Sequence, residues 1–167
     1  AAAAIAGRLK AKGRAAELFL CVPEANSLGL TLMQPQGLAA AMAQGAADTI
    51  VVLENDLFRR AAPAAVTARL SQARQVVVLD HLSTETTARA DLVLPAAVAA
   101  EAAGTWVNNE GRAQRAYAAM PPAGAARPAW RWLQAMALAM GRVDLKAWQT
   151  IDDVAAENID QALDLVA

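Results

Sequence analysis

The sequence predicts an α/β fold with a doubly wound, mainly parallel sheet flanked by helices, and two observations lead to it. First, four short runs of apolar residues end at a proline or an acidic residue, and none of them alternates polar with apolar positions. Such runs are typical of parallel strands that are buried on both faces. Second, helix-like segments alternate with the runs at the spacing of β-α-β units. The four predicted strands are Leu18–Val22, Thr49–Leu53, Val76–Leu79 and Leu92–Leu94.

The predicted helices are recognised by the residues at their ends. Proline lies at or near the start of three of them, and glycine directly follows three, which is the usual distribution of these two residues. Thr150 and Asp153 resemble a capping box, in which the acidic side chain binds back to the first residue of a helix. The predicted helices cover residues 1–12, 35–44, 62–73 and 128–140, and a last helix starts at about 151.

At 167 residues the chain has the length of one domain, and we predict a single α/β domain over 1–167. Within it, 1–95 would hold the sheet and its helices, 96–127 a long polar connection with a strand-like piece at 105–108, and 128–167 the C-terminal helices. The chain begins with alanine and not with methionine, so we expect a fragment of a longer polypeptide. No apolar run is long enough to span a bilayer, and we expect no membrane insertion.

Composition and motifs argue against several classes of function. The net charge of −1 gives no reason to expect a nucleic-acid partner. One cysteine, Cys21, and one histidine, His81, cannot by themselves form an iron–sulfur or structural zinc site, so we predict no metal site here. The chain has neither a G-x-S-x-G elbow nor a glycine-rich phosphate loop. We therefore assign no catalytic residue, and we interpret Cys21 as an inert core thiol.

A ligand crevice is predicted after the third strand, in the stretch Asp80–Thr87. Ligands of open parallel sheets bind at the carboxyl ends of the strands, where Asp80 could accept a hydrogen bond from a ribose hydroxyl. Ser83 or Thr84 would begin a short helix whose free N–H groups could hold a phosphate. Alternatively, Ser83 or Thr84 serves only as a helix cap. The sequence leaves both interpretations open.

The stretch EAAGTWVNNEGRAQR, residues 101–115, concentrates hydrogen-bonding groups in an alanine-rich chain. Residues 108–111 are typical of a turn with Asn109 or Gly111 at positive φ. Because buried polar groups need partners, we predict a structural network that pins this connection against the sheet, with a ligand or partner site as the alternative. Arg112 could bind a carboxylate in a planar fork. The members of this network would be Glu101, Asn108, Glu110, Arg112 and Gln114.

Residues 80–115 resemble the third domain of the molybdopterin oxidoreductase superfamily. The similarity lies in Asp80, in TETTARADLVLPA at 84–96 and in the pattern E-x-x-G-T-x-x-N-x-E-G-R-x-Q that starts at Glu101. Two further segments, ENDL at 54–57 and GAARPAW at 124–130, are similar to one branch of the superfamily. This branch comprises the large G subunits of NADH–quinone oxidoreductase, respiratory complex I, and the similarity favours it over formate dehydrogenase and nitrate reductase.

The resemblance implies a structural and interaction domain of the peripheral arm of complex I, supporting electron transfer from NADH to quinone without a redox centre of its own. No cofactor would lie in this segment, and iron–sulfur clusters would lie in an absent amino-terminal part. Partners would be other domains of the parent chain and other complex I subunits, in a cytoplasmic arm peripheral to the inner membrane.

Two alternatives to this interpretation stay open. One is a fragment of an active molybdopterin-dependent oxidoreductase, of the formate dehydrogenase or nitrate reductase type, in which Asp80, Thr84 and Thr87 contact the pterin dinucleotide. The other is a free-standing nucleotide-binding module of Rossmann type. Under the complex I interpretation, the same three residues would be a relic of the dinucleotide site.

Overall fold

The computed structural model describes residues 1–19, 24–45, 47–143 and 147–156. The chain divides into two compact units. The first consists of Ala1–Met33 and Trp106–Gln114, and the second of Gln34–Thr105 and Arg115–Ala167. The single domain proposed for residues 1–167 stays a prediction.

In its described residues the first unit contains two helices, α1 (Ala2–Ala11) and α2 (Ser27–Leu32). The bounds of α1 lie within one residue of the predicted ones, and Gly13 follows the helix with a φ of 69°. This left-handed backbone conformation strains residues that carry a Cβ, and glycine adopts it freely. The sequence does not predict α2, whose buried residue is Gly29.

The strand predicted at Leu18–Val22 falls largely on residues that the structure does not describe. Leu18 and Phe19 lie in a segment without regular secondary structure, and their side chains are exposed. Residues 20–23, with Cys21 among them, lie outside the described residues. The interpretation of Cys21 as a core thiol therefore stays a prediction.

The second unit is built on a parallel three-stranded sheet in the order β1 (Thr49–Leu53), β2 (Gln75–Asp80) and β3 (Leu92–Pro95). Val52 pairs with Val78, which pairs on its other side with Val93. Helices α3 (Leu38–Ala43) and α4 (Pro63–Ser71) precede and follow β1. The predicted α/β class, with a parallel sheet flanked by helices, is thereby confirmed. These strands lie within one residue of their predicted bounds, whereas α3 begins later than predicted because Gly37 is its N-cap.

One hydrophobic cluster of the second unit lies between α4 and one face of the sheet. Val66 and Leu70 of α4 pack with Val52, Val76 and Val78. Complete burial of an aliphatic side chain stabilises a fold by about 1.5–3 kcal/mol, and neither Val66 nor Val78 has any exposed surface. The last five residues of β2 are buried, because this strand has a neighbour on each side.

The expectation that every strand is buried on both faces is wrong for β1 and β3. Val51, Leu53, Leu92 and Val93 are 43–46% exposed. In the described part of the chain these two strands form the edges of the sheet, and Ile50 and Val52 are the residues of β1 that pack toward α4. The continuous apolar runs thus identified the strands, but they did not indicate whether one face or both faces of each strand are covered.

The predicted polar connection at 96–127 contains two strands, β4 (Gly104–Val107) and β5 (Ala113–Ala116), which pair with each other. The strand-like piece predicted at 105–108 is thus confirmed to within one residue. β5 was not predicted, because Ala-Gln-Arg-Ala has no apolar run. An isolated bridge joins Ala96 to Arg127 and places Arg127 beside the chain that leaves β3.

The predicted C-terminal helix is α5 (Ala129–Ala139), with Pro128 as its N-cap and Gly141 after its end at a φ of 87°. Residues 151–156 are helical as well. Asp153 accepts hydrogen bonds from the backbone N–H groups of Gln149 and Thr150, both at 2.7 Å, which confirms the bond expected of the capping box. Residues 157–167 of the predicted last helix lie outside the described residues. In the part of the chain that the structure describes, no helix combines the length and apolar character needed to cross a membrane.

Candidate functional site

The candidate site lies at the carboxyl edge of the parallel sheet, where Asp80 ends β2. Asp80 is buried, with 7% of the residue exposed. Asp80 Oδ1 accepts hydrogen bonds from the backbone N–H groups of His81 at 2.7 Å and Leu82 at 3.0 Å. The structure therefore places Asp80 at the predicted edge, but one carboxylate oxygen holds the turn that follows its own strand.

Thr84 and Thr87 bind each other on the same loop. The backbone N–H of Thr84 donates to Thr87 Oγ1 at 2.7 Å, and the backbone N–H of Thr87 donates to Thr84 Oγ1 at 3.2 Å. The hydroxyl of Thr87 also donates to the carbonyl of Thr84 at 2.9 Å. The short helix expected here is a 3-10 turn at Thr87–Arg89. The donors that could hold a phosphate, two backbone N–H groups and the hydroxyl of Thr87, are thus engaged within the loop.

Sequence reasoning missed the contact that ties this loop to the one after β1. Thr86 is completely buried, and its hydroxyl donates to Asp56 Oδ1 at 2.7 Å. The same hydroxyl oxygen accepts from the backbone N–H of Leu57 at 2.9 Å, and Asp56 Oδ1 also accepts from the backbone N–H of Phe58 at 3.3 Å. Asp56 belongs to ENDL and Thr86 to TETTARADLVLPA, so both lie in segments that carry the family resemblance, but nothing in their spacing of 30 residues indicates contact.

Glu54 adds a second carboxylate at this edge, directly after β1. Its φ is 46°, and its backbone N–H donates to the carbonyl of Leu79 at 2.7 Å. Partial burial raises the pKa of Glu54 above its ordinary value of 4.5; the nearby His81 opposes the shift and Asp80 adds to it. The imidazole Nδ1 of His81 lies 3.5 Å from Asp80 Oδ1. The edge can thus accept hydrogen bonds from a hydroxyl-bearing ligand.

The predicted network of residues 101–115 is distributed over both units. In the second unit, Glu101 accepts from the backbone N–H groups of Val98 at 3.1 Å and Ala123 at 3.3 Å, which ties together the two ends of a loop. Gln114, which belongs to the first unit, is exposed on β5.

In the first unit, Asn108 closes the turn between β4 and β5. Its Oδ1 accepts from the backbone N–H groups of Glu110 at 3.0 Å and Arg112 at 2.9 Å. Gly111 has a φ of 77°, as one of the two predicted residues should. The Arg112–Glu110 pair spans 3.8 Å with both side chains at least 70% exposed, so this ion pair adds little stability.

The chemistry available at these positions is hydrogen bonding. In the described ranges, no three His, Cys, Asp or Glu side chains come together as metal ligands. Asp80 and Glu54 could accept protons from a bound group. The hydroxyl of Thr86 does donate to the carboxylate of Asp56, but Thr86 is completely buried and cannot reach a substrate as a nucleophile. The arrangement suits the fixing of loops or the holding of a polar ligand.

Comparison with known proteins identifies the relatives of the chain. It is 43% identical over 164 residues to the G subunit of NADH-quinone oxidoreductase from Pseudomonas fluorescens. It is 46% identical over 144 residues to the same protein of Pseudomonas putida, and 40% identical over 164 residues to that of Escherichia coli K12. These matches cover 93%, 81% and 92% of this chain, but only 16–18% of each relative.

The chain therefore spans less than a fifth of the length of these curated relatives. The family match covers most of the chain, because residues 4–139 fit the family described as molybdopterin oxidoreductase. Together these findings confirm the resemblance read from residues 80–115, and the chain belongs to the molybdopterin oxidoreductase family.

Proposed function

We propose that this segment is a structural and interaction domain of the large G subunit of an NADH–quinone oxidoreductase. The observation that carries the proposal is the self-satisfied carboxyl edge of the sheet. Asp80 holds its own turn, Thr84 binds Thr87, and Thr86 binds Asp56. In a chain similar to such G subunits, these bonds favour a role in holding shape, because they tie the loops at the carboxyl edge to each other.

The segment supports electron transfer from NADH to quinone without carrying a redox centre. One cysteine and one histidine are too few for the ligands of an iron–sulfur cluster. The clusters of the parent chain would lie in other domains. The partners are those other domains and further subunits of the complex, in a cytoplasmic arm peripheral to the inner membrane.

A second candidate is a fragment of an active molybdopterin-dependent oxidoreductase, which the family match favours. Asp80, Thr84 and Thr87 would then contact the pterin dinucleotide. As the residues stand they do not fit that ligand, because the hydroxyl of Thr87 and the backbone N–H groups of Thr84 and Thr87 already donate to oxygens within the loop. Binding would require these bonds to break, so we derive no catalytic step through the cofactor.

Segment exchange tests the two candidates. The corresponding part of the Pseudomonas fluorescens G subunit would be replaced by this chain, and assembly and NADH–quinone activity would be measured in membranes. Val78→Asp places a charge in a completely buried position and should abolish assembly. Asp80→Asn keeps the oxygen that accepts from His81 and Leu82, and should leave assembly and activity unchanged.

The outcomes separate the candidates. Normal assembly with Val78→Asp would show that the complex does not need this fold, and would contradict the interaction role. Loss of activity with Asp80→Asn in a fully assembled complex would favour a ligand site. In the isolated chain, added guanine nucleotide should leave the melting temperature unchanged, whereas a concentration-dependent rise would support the dinucleotide-binding alternative.

A further inference from the structure

A pocket lined by none of the candidate-site residues lies along α5 in the second unit. Its volume is about 460 Å³, within the range of roughly 300–1,000 Å³ that is usual for ligand pockets. No acidic residue lines it, and two arginines do. Its apolar wall is formed by Pro122, Ala126, Pro128, Ala135 and Leu138.

Arg127 is held rigidly at this pocket. Its backbone N–H donates to the carbonyl of Pro95 at 3.2 Å, and its carbonyl accepts from the backbone N–H of Ala97 at 2.9 Å. Its guanidinium carbon lies 4.8 Å from the centre of a ring of Trp132. Trp132 is itself fixed, because its Nε1 donates to the carbonyl of Pro95 at 2.8 Å. The residues at and just after the end of β3 thus position both Arg127 and the ring of Trp132 on which it stacks.

Stacking on an aromatic ring leaves the N–H groups of a guanidinium free to bind an acceptor. Its five N–H groups point outward in the plane of the group, and the ring occupies only one face. In the described residues, no carboxylate forms an ion pair with Arg127. The residue is exposed, so the in-plane fork remains open to a carboxylate from another molecule.

Arg131 supplies a second positive charge with a different role. Its guanidinium carbon lies 4.0 Å from the centre of a ring of Trp130. It donates to Gln134 Oε1 and to the carbonyl of Trp148, both at 3.3 Å, and to the carbonyl of Gln149. Because these acceptors are neutral, they fix the charge of Arg131 in place without neutralising it, and the carboxylate of Asp153 offsets it only through an electrostatic interaction. Arg131 attracts an anion to the pocket while Arg127 provides the open fork.

We propose that this pocket docks an acidic polypeptide segment that carries a glutamate or aspartate next to an apolar side chain. The carboxylate would bind Arg127 in bidentate fashion, and the apolar neighbour would cover the wall around Leu138 and Ala135. Charge complementarity selects the carboxylate, and the apolar wall favours a peptide over an inorganic anion, which would leave that wall uncovered. The inference rests on the proposed interaction role and assigns that role a surface and a partner chemistry.

Peptide titration of the 167-residue chain tests the proposal. The probe is the blocked pentapeptide Ala-Leu-Glu-Leu-Ala, and its twin with glutamine in place of glutamate is the control ligand. Binding is followed by tryptophan fluorescence, because Trp130 and Trp132 stack against the two arginines. The acidic peptide should bind saturably and its twin about tenfold more weakly or not at all.

Variants then locate the binding surface. Arg127→Ala should weaken peptide binding by about tenfold, and Arg127→Lys should restore little of it, because a lysine lacks the planar fork. Arg59→Ala removes an exposed arginine outside the pocket and should bind like the parent chain. Equal binding by Arg127→Ala and the parent chain would overturn the proposal, as would inorganic phosphate competing as well as the acidic peptide.

An assembly experiment with the complex that carries the exchanged segment distinguishes failure of this docking proposal from failure of the proposed interaction role. In that complex, Arg127→Glu should reduce assembly at low protein concentration, whereas Arg59→Glu should not. If Val78→Asp abolishes assembly while Arg127→Glu leaves it normal at every concentration, the interaction role stands and this docking surface is wrong. If neither change affects assembly, the interaction role itself fails.

Discussion

Thr86→Val tests whether the link between the two loops holds the carboxyl edge together. The substitution keeps the shape of a completely buried side chain and removes two hydrogen bonds, one to the carboxylate of Asp56 and one from the N–H of Leu57. A hydrogen bond to a charged group contributes about 1.5–3 kcal/mol, and a donor left without a partner costs about 1–3 kcal/mol. Since these terms overlap, we expect a loss of about 2–4 kcal/mol in the free energy of unfolding.

The measurement is urea-induced unfolding of the chain, followed by circular dichroism. The midpoint should fall with little change in slope, because the surface exposed on unfolding is nearly the same. Thr31→Val is the matched control: Thr31 is exposed and its hydroxyl donates only to the carbonyl of Ser27, so its effect should stay within about 0.5 kcal/mol.

A double-mutant cycle sharpens this test. If Thr86 and Asp56 stabilise the edge through their mutual bond, Thr86→Val and Asp56→Ala should couple by roughly 0.5–3 kcal/mol. Additive effects would refute the reasoning, and so would a loss no larger than that of the Thr31 control. In either case the contact between the loops would not contribute to the stability of the edge.

Three further predictions follow from other contacts. Gly29→Ala should destabilise the first unit and increase proteolysis there, because the added Cβ would lie 2.5 Å from the Oδ1 of Asn26; proteolysis at the parent rate would contradict this. Glu54→Gln should flatten the pH dependence of stability above about pH 4.5. The raised pKa means that the folded state binds more protons there, so the parent chain should lose stability as pH rises through the raised value; matching pH profiles would contradict this. Asp91→Ala should lower the free energy of unfolding by about 1.5–3 kcal/mol, because its Oδ2 accepts from the backbone N–H of Val76 at 2.7 Å. The urea midpoint should fall accordingly, and an unchanged midpoint would contradict this.

The strands of the second unit could be predicted from the sequence because their signal is local. Apolar runs such as Thr49–Leu53 contain β-branched residues and end at charged ones. β5 carries no such signal, since Ala113–Ala116 becomes a strand by pairing with β4. α2 was missed for a similar reason: Gly29 weakens the intrinsic helix tendency of this segment.

The position of Asp80 was predictable, whereas the partners of the site residues were not. A residue that ends a parallel strand lies at the carboxyl edge whatever follows it. That Thr84 binds Thr87, and that Thr86 reaches Asp56, depends on the path of two loops and on a separation of 30 residues. Threonines at a loop start predict capping or ligand binding equally well, so only the geometry distinguishes the two.

That geometry has a consequence for any ligand at the carboxyl edge. A phosphate bound by the hydroxyl of Thr87, or by the backbone N–H groups of Thr84 and Thr87, would have to replace the oxygens to which these groups now donate. Each replaced bond costs about 0.5–1.5 kcal/mol, and more if the oxygen that loses its donor finds no new partner. The ligand would also have to move the loop after β2, which the buried Thr86 anchors to Asp56 in the loop after β1. The free energy needed to open the edge therefore counts against binding. The bonds that stabilise this fold also lower the affinity for a ligand at the carboxyl edge of the sheet.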